Sequence, residues 1–228
     1  IHFSSPDVSI SDMDFKSYPK YDTLYESLSK NYNIKNTQLE IFNGGSSAIF
    51  SLMRFFKNEE CSIYSPAYSE YRKAAKINSK KITFINRFEN IQQSIKENSI
   101  VVFVNPSTPD GTFYKIKEYL DFWQSKKAIV IVDESFIEFT KAESIVDQIE
   151  NYDNLYILKS LTKFYGCAGI RCGIVVSNEE NITKLKASEP QWKISHFDSN
   201  YIQAMLKDEN YKEKTLSEVN EAKEHLKD

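Results

Sequence analysis

The sequence predicts a doubly wound α/β fold, a mostly parallel sheet with helices on both faces. Three observations carry this expectation. Ile100-Val101-Val102-Phe103-Val104 and Ala128-Ile129-Val130-Ile131-Val132 are continuous apolar runs, the pattern of strands covered on both sides. Tyr114 to Lys126, between them, has helical periodicity. Gln38 to Phe42, a short strand, runs into the turn Asn43-Gly44-Gly45-Ser46-Ser47 and then a helix from about Ala48 to Phe56. In a sheet wound this way, the ligand site lies beyond the carboxyl ends of the strands.

The remaining elements follow in chain order. Residues 1–20 read as an irregular arm punctuated by Pro6 and Pro19. Leu24, Tyr25, Leu28 and Tyr32 are spaced for an amphipathic helix over Tyr21 to Tyr32. Cys61 to Tyr64 and Ile82 to Ile85 read as strands flanking a helix from about Tyr68 to Ile77. Leu155 to Leu158 and Cys172 to Ser177 complete the strands. From Asn178 onward the chain is mostly helical and polar, as expected for the start of a smaller domain. The expected organisation is an arm (1–20), a large domain (21–177) and a helical continuation toward a truncated small domain (178–228). No repeat or low-complexity tract interrupts it.

Composition narrows the function classes. With 228 residues, 41% hydrophobic and 27% charged, the chain can bury one sizeable core. A net charge of −3, with lysines scattered among acids, argues against a nucleic-acid partner. No apolar run is long enough for a membrane span, and no signal peptide is visible. Cys61, Cys167 and Cys172 cannot pair completely and lack metal-ligand spacing, which favours reduced thiols and a cytoplasmic location. His2, His196 and His225 form no arguable triad or metal site. The chain begins at Ile1 rather than Met, the pattern of a processed or trimmed piece.

The polar residues collect at successive strand ends. Asn105-Pro106-Ser107-Thr108-Pro109-Asp110-Gly111 follows one, Asp133-Glu134-Ser135-Phe136 the next, and Ser160-Leu161-Thr162-Lys163 the third. The hydroxyls of Ser160 and Thr162 and the guanidinium of Arg171 could converge on one phosphate, which the planar Arg fork matches. Lys163 beside it would be free to attack an aldehyde. A lysine forming a Schiff base next to a phosphate clamp implies pyridoxal phosphate. The plainer alternative is a surface lysine with a capping Ser/Thr pair. Asp133 suits the same chemistry, because a carboxylate paired to the pyridine nitrogen keeps it protonated; a strand-end turn carboxylate is its plainer alternative. The strand–glycine turn–helix at 38–56 points backbone amides at an anion. Such turns also occur in ordinary connections, and no Gly-Lys-Ser/Thr follows to make it a nucleotide P-loop.

At these residues the chain resembles the fold-type I, pyridoxal-phosphate-dependent class I/II aminotransferase family. It is most similar to that family's threonine-phosphate decarboxylase and histidinol-phosphate aminotransferase branches. Ser160-Leu161-Thr162-Lys163-Phe164-Tyr165 with Gly169-Ile170-Arg171-Cys172-Gly173 carries the likeness, supported by Asp133 to Phe139 and Asn105 to Gly111. The resemblance extends from Tyr18 onward. It implies Lys163 as the cofactor-linked lysine and Asp133 as the pyridine-nitrogen partner. Ser160, Thr162, Arg171 and the amides of Gly45 and Ser46 would hold the phosphate. Tyr68 would stack on the ring, although alone it reads as a core tyrosine, and Ser135 would pack against the other ring face. Tyr18 would reach the phosphate of a neighbouring subunit, implying a homodimer.

Two departures bear on the reaction. Thr108 stands where the family has an asparagine that donates to the phenolic oxygen, and Phe136 where it commonly has a second donor, a tyrosine. Fewer donors should raise that oxygen's basicity. Family members also continue into a small domain with an arginine for the substrate carboxylate, which this chain does not reach. The resemblance therefore implies a small-molecule amino substrate, bound as an external aldimine in place of Lys163. Decarboxylation of O-phosphothreonine or O-phosphoserine is the slightly favoured reaction; transamination is the alternative, and a non-catalytic module with a degenerate fold the remote one.

Overall fold

The computed structural model describes residues 6, 8, 9, 11, 13–89, 91, 92 and 95–225; His2 and parts of the arm lie outside them. Strands β1 (Leu39–Phe42), β2 (Glu60–Ser65), β3 (Lys81–Asn86), β4 (Ile100–Val104), β5 (Ile129–Asp133), β6 (Leu155–Ser160) and β7 (Gly173–Val176) form one sheet. Its order is β1-β7-β6-β5-β4-β2-β3. The pairs among β2 to β6 are parallel, while β7 runs antiparallel to both β6 and β1. The expected doubly wound, mostly parallel sheet is what forms. The helices are α1 (Asp22–Tyr32), α2 (Gly44–Phe55), α3 (Ser69–Ile77), α4 (Lys117–Ser125), α5 (Leu161–Phe164), α6 (Glu179–Ala187), α7 (His196–Met205) and α8 (Tyr211–His225).

Side chains alternate across a strand with period two, and that alternation sorts the core into two layers. Ile131, Leu158 and Val175 pack on one sheet face with Ala48 and Leu52 of α2 and Tyr71 and Ala74 of α3. Val130, Val132, Ile157 and Ile174 pack on the other with Leu24 and Leu28 of α1 and Leu120 and Trp123 of α4. Helices α6 and α7 join these same layers through Ile182 and Leu185 and through Ile202 and Met205, respectively. Asp133 pairs in register with Leu158, so its side chain belongs to the α2–α3 face.

Two helix starts differ from expectation. α2 begins at Gly44, so the glycine turn is itself the first helical turn. Gly44 has φ +79°, a left-handed value that lets the chain swing from β1 into the helix. α4 begins at Lys117, not Tyr114. The Tyr114 amide donates to Asn105 Oδ1 at 2.9 Å and its carbonyl accepts from Asn105 Nδ2 at 3.0 Å, which holds that residue in the loop.

Candidate active site at the strand ends

The α2 N-terminus is built to leave its amides available. Its N-cap, Asn43, makes no side-chain cap bond, so the first-turn N–H groups remain open to an anion. A Cβ on Gly44 would lie 2.7 Å from Arg171 Cζ, and one on Gly173 would lie 2.6 Å from Gly45 N. A Cβ on Gly45 would be 3.5 Å from Ser160 Cβ. The helix start, Arg171 and Ser160 are therefore packed together, with Ser160 Oγ and Thr162 Oγ1 3.4 Å apart. The Arg171 amide donates to Asp198 Oδ1 at 3.1 Å, and Asp198 also forms the capping box of α7 with Ser195. Because Gly173 meets backbone and not a movable side chain, Gly173→Ala should push α2 away. A stability loss of about 1–3 kcal/mol in urea unfolding is expected.

Lys163 projects from α5 as an exposed residue. Its Nζ lies 4.6 Å from the Phe136 ring centroid and 5.8 Å from that of Tyr68. The Tyr68 hydroxyl is 3.4 Å from Ser46 Oγ, which ties the α3 start to the α2 start. α5 is fixed from behind by α8, where Tyr211 packs edge-on against Phe164 at 5.5 Å between centroids.

Asp133 is buried at the end of β5. It accepts a hydrogen bond from the Tyr71 hydroxyl at 2.9 Å and from the Ser135 amide at 2.9 Å. Burial first, and then the Asp133 charge, push the Tyr71 phenol well above its usual range, so it stays a donor. Ser135 Oγ is buried without a hydrogen-bond partner among the described residues. On the opposite sheet face, Lys159 and Glu134 form a buried ion pair of 2.7 Å. Glu134 also accepts from the Ile145 amide at 2.9 Å, and Lys159 donates to Ser144 Oγ at 3.0 Å. This pair joins the ends of β5 and β6, next to Asp133 and Ser160.

Thr108 lies in the turn after β4, which is tied to β5 by the Asn105 amide donating to Asp133 O at 2.8 Å. The same turn carries Asp110. Burial raises the Asp110 pKa, but hydrogen bonds from Ser107 and Thr112 and the Arg87 charge outweigh it, leaving the carboxyl well below its ordinary value of 3.8. A depressed folded pKa contributes stability above the unfolded value that is lost as pH falls toward the folded one. Acid unfolding should therefore set in below about pH 4, and Asp110→Asn should flatten the stability curve in that window.

The family model for aminotransferase class I and II matches residues 7–228. The chain belongs to that family. Within the aminotransferase class I and II family it is 28% identical over 219 residues to a histidinol-phosphate aminotransferase of Flavobacterium johnsoniae, covering 91% of this chain and 63% of that one. It is also 28% identical over 236 residues to a protein provisionally named threonine-phosphate decarboxylase from Caldanaerobacter subterraneus, covering 96% and 64% respectively. The fold matches a histidinol-phosphate aminotransferase of Sinorhizobium meliloti solved in complex with pyridoxal-5'-phosphate. That match has a TM-score of 0.83 at 15% identity, covering 92% of this chain and 61% of the other. The chain thus spans less than two thirds of the length of these relatives.

Of the residues singled out in the sequence, Gly45, Ser160, Thr162 and Arg171 lie together; Ser46 follows Gly45 in α2 and meets the Tyr68 hydroxyl. Asp133 and Ser135 sit at the neighbouring strand end, and Lys163 is exposed beside the Phe136 and Tyr68 rings. Tyr18 is elsewhere: it is exposed and stacked on Trp192, with centroids 4.0 Å apart. Tyr71, the partner of Asp133, belongs to no motif in the sequence; its one signal is its place three residues after Tyr68, the N-cap of α3. Arg87 and the Lys159–Glu134 pair carried no local signal.

Proposed function

We propose that this chain carries the cofactor-binding part of a pyridoxal-phosphate-dependent enzyme for a small phosphorylated amino acid or amine. The observation that carries the proposal is the exposed Lys163 amine, set between the Tyr68 and Phe136 rings and on the segment that leads from Ser160 to Arg171. Three features support a fit to the cofactor. The first-turn amides of α2 are uncapped beside Arg171, Ser135 Oγ lacks a partner, and Asp133 accepts two hydrogen bonds where an ionised carboxylate has capacity for about four.

Pyridoxal phosphate, when bound, supplies an aldehyde for the amine and a ring that takes up electrons released at Cα. Ser160, Thr162, Arg171 and the Gly45 and Ser46 amides would hold its phosphate. Asp133, oriented by Tyr71, would keep a proton on the ring nitrogen. Tyr68 and Ser135 would fix the ring's plane, and Thr108 would lie toward its phenolic oxygen. Lys163, once displaced by the substrate amine, would move protons at Cα as general acid and base. Tyr18 would serve a partner subunit in a homodimer, and the division at 177/178 would separate large-domain from small-domain sequence.

Decarboxylation of an O-phospho-amino acid is the preferred reaction, because Phe136 offers no phenol beside Lys163. The identity to a histidinol-phosphate aminotransferase favours transamination as the second choice. Incubation with O-phosphothreonine or O-phosphoserine separates them. Carbon dioxide release supports the first, and keto-acid formation with 2-oxoglutarate alone rejects it in favour of the second.

A further inference from the structure

Arg87 lies just beyond β3 with its side chain wholly covered. Among the described residues only one of its three guanidinium nitrogens has a hydrogen-bond partner. Nη2 donates to Thr108 O at 3.0 Å and to Asp110 Oδ1 at 2.6 Å, while Nε and Nη1 are buried with no hydrogen-bond partner. Unmet buried donors on a cation are costly, and an apolar residue of similar volume would avoid that cost. What offsets it is what the residue holds.

From the end of β3, Arg87 reaches two other strand ends. Its amide donates to Ser65 O at 3.2 Å, at the end of β2 and shortly before Tyr68. Its guanidinium closes the turn after β4. Asp110 is the hub of that turn: Oδ1 accepts from Ser107 Oγ at 2.6 Å as well as from Arg87, and Oδ2 accepts from the Thr112 hydroxyl. The Gly111 amide donates to Ser107 O at 3.0 Å and the Ser107 amide to Thr112 O at 2.9 Å. Gly111, with φ +73°, supplies the left-handed step such a closure needs.

We infer that Arg87 is a positioning residue, which through Asp110 and the Thr108 carbonyl sets Thr108 in register with Tyr68 across the cofactor site. This rests on the proposal that Thr108 lies toward the cofactor's phenolic oxygen. Lysine is a poor replacement: one nitrogen, Nη2, makes both bonds, but an ammonium is more strongly hydrated than a guanidinium and costs more to hold in this covered place.

The test measures amide hydrogen exchange in Arg87→Lys, Asp110→Asn and Thr108→Val, and titrates the visible absorbance of each chain loaded with pyridoxal phosphate. In Arg87→Lys and Asp110→Asn, the Gly111 and Thr112 amides should exchange about tenfold faster or more, with β4 and β5 amides at wild-type rates. The pH midpoint of the absorbance band should move in the same direction in all three variants. Unchanged turn exchange overturns the inference, and so does acceleration spread throughout the fold in both Arg87→Lys and Asp110→Asn. A midpoint that stays put in Arg87→Lys and Asp110→Asn overturns it as well. If the wild-type chain takes up no pyridoxal phosphate, the cofactor proposal fails, and the exchange data alone decide whether Arg87 holds the turn.

Discussion

Lys163→Ala is expected to leave the fold intact and abolish covalent cofactor attachment. Among the described residues the Lys163 side chain makes no ion pair or hydrogen bond; its neighbours are the faces of Phe136 and Tyr68. An exposed side chain with such contacts contributes little to stability, within about 0.5 kcal/mol. Its chemical role is separate, since the proposed amine both binds the cofactor and moves protons at Cα. Loss of the proton-transfer part alone should slow amine turnover on the order of 10²–10⁴-fold. Thermal unfolding and the visible spectrum, recorded on one sample, distinguish the two contributions. A variant that keeps its absorbance band and turnover would remove Lys163 from the site.

Lys159→Met should have the largest effect on stability. Lys159 and Glu134 are both covered, and removing the cation leaves the carboxylate buried with, among the described residues, the Ser144 hydroxyl and the Ile145 amide as its partners. Breaking such a pair from one side costs about 3–5 kcal/mol, measurable as a shift of the urea midpoint. Lys159 also packs its ammonium over the Tyr32 ring at 4.8 Å, so the α1 contact weakens too. The double variant Lys159→Met/Glu134→Leu should recover much of the loss, because no uncompensated charge remains. Since Asp133 and Ser160 adjoin the pair in sequence, the single variant should also bind pyridoxal phosphate less well. A loss below about 1 kcal/mol would mean that the strand ends are tied by packing alone.

Helix ends show where local patterns stop being informative. Asn178 and Ser195 cap α6 and α7 with their own side chains, a device visible in the sequence. Tyr114 continues the periodicity of α4 yet is held out of it by Asn105, nine residues earlier. Gly44 and Gly45 have poor intrinsic helix propensity, yet they begin α2 because the opposing Gly173 allows the backbone to come close.

The sequence by itself determined the parallel strands, the layers and the places where polar residues gather, because apolar runs and period-two alternation are local properties of the chain. The phosphate-and-amine chemistry proposed for the Ser160 to Gly173 segment likewise rests on local sequence. Only the tertiary structure decided which partner each of those residues takes. Tyr71 on Asp133, Arg87 on Asp110 and Glu134 on Lys159 are contacts between separate elements that meet only when the sheet is assembled. No periodicity encodes them, because they are set by the distance between neighbouring strand ends rather than by spacing along the chain.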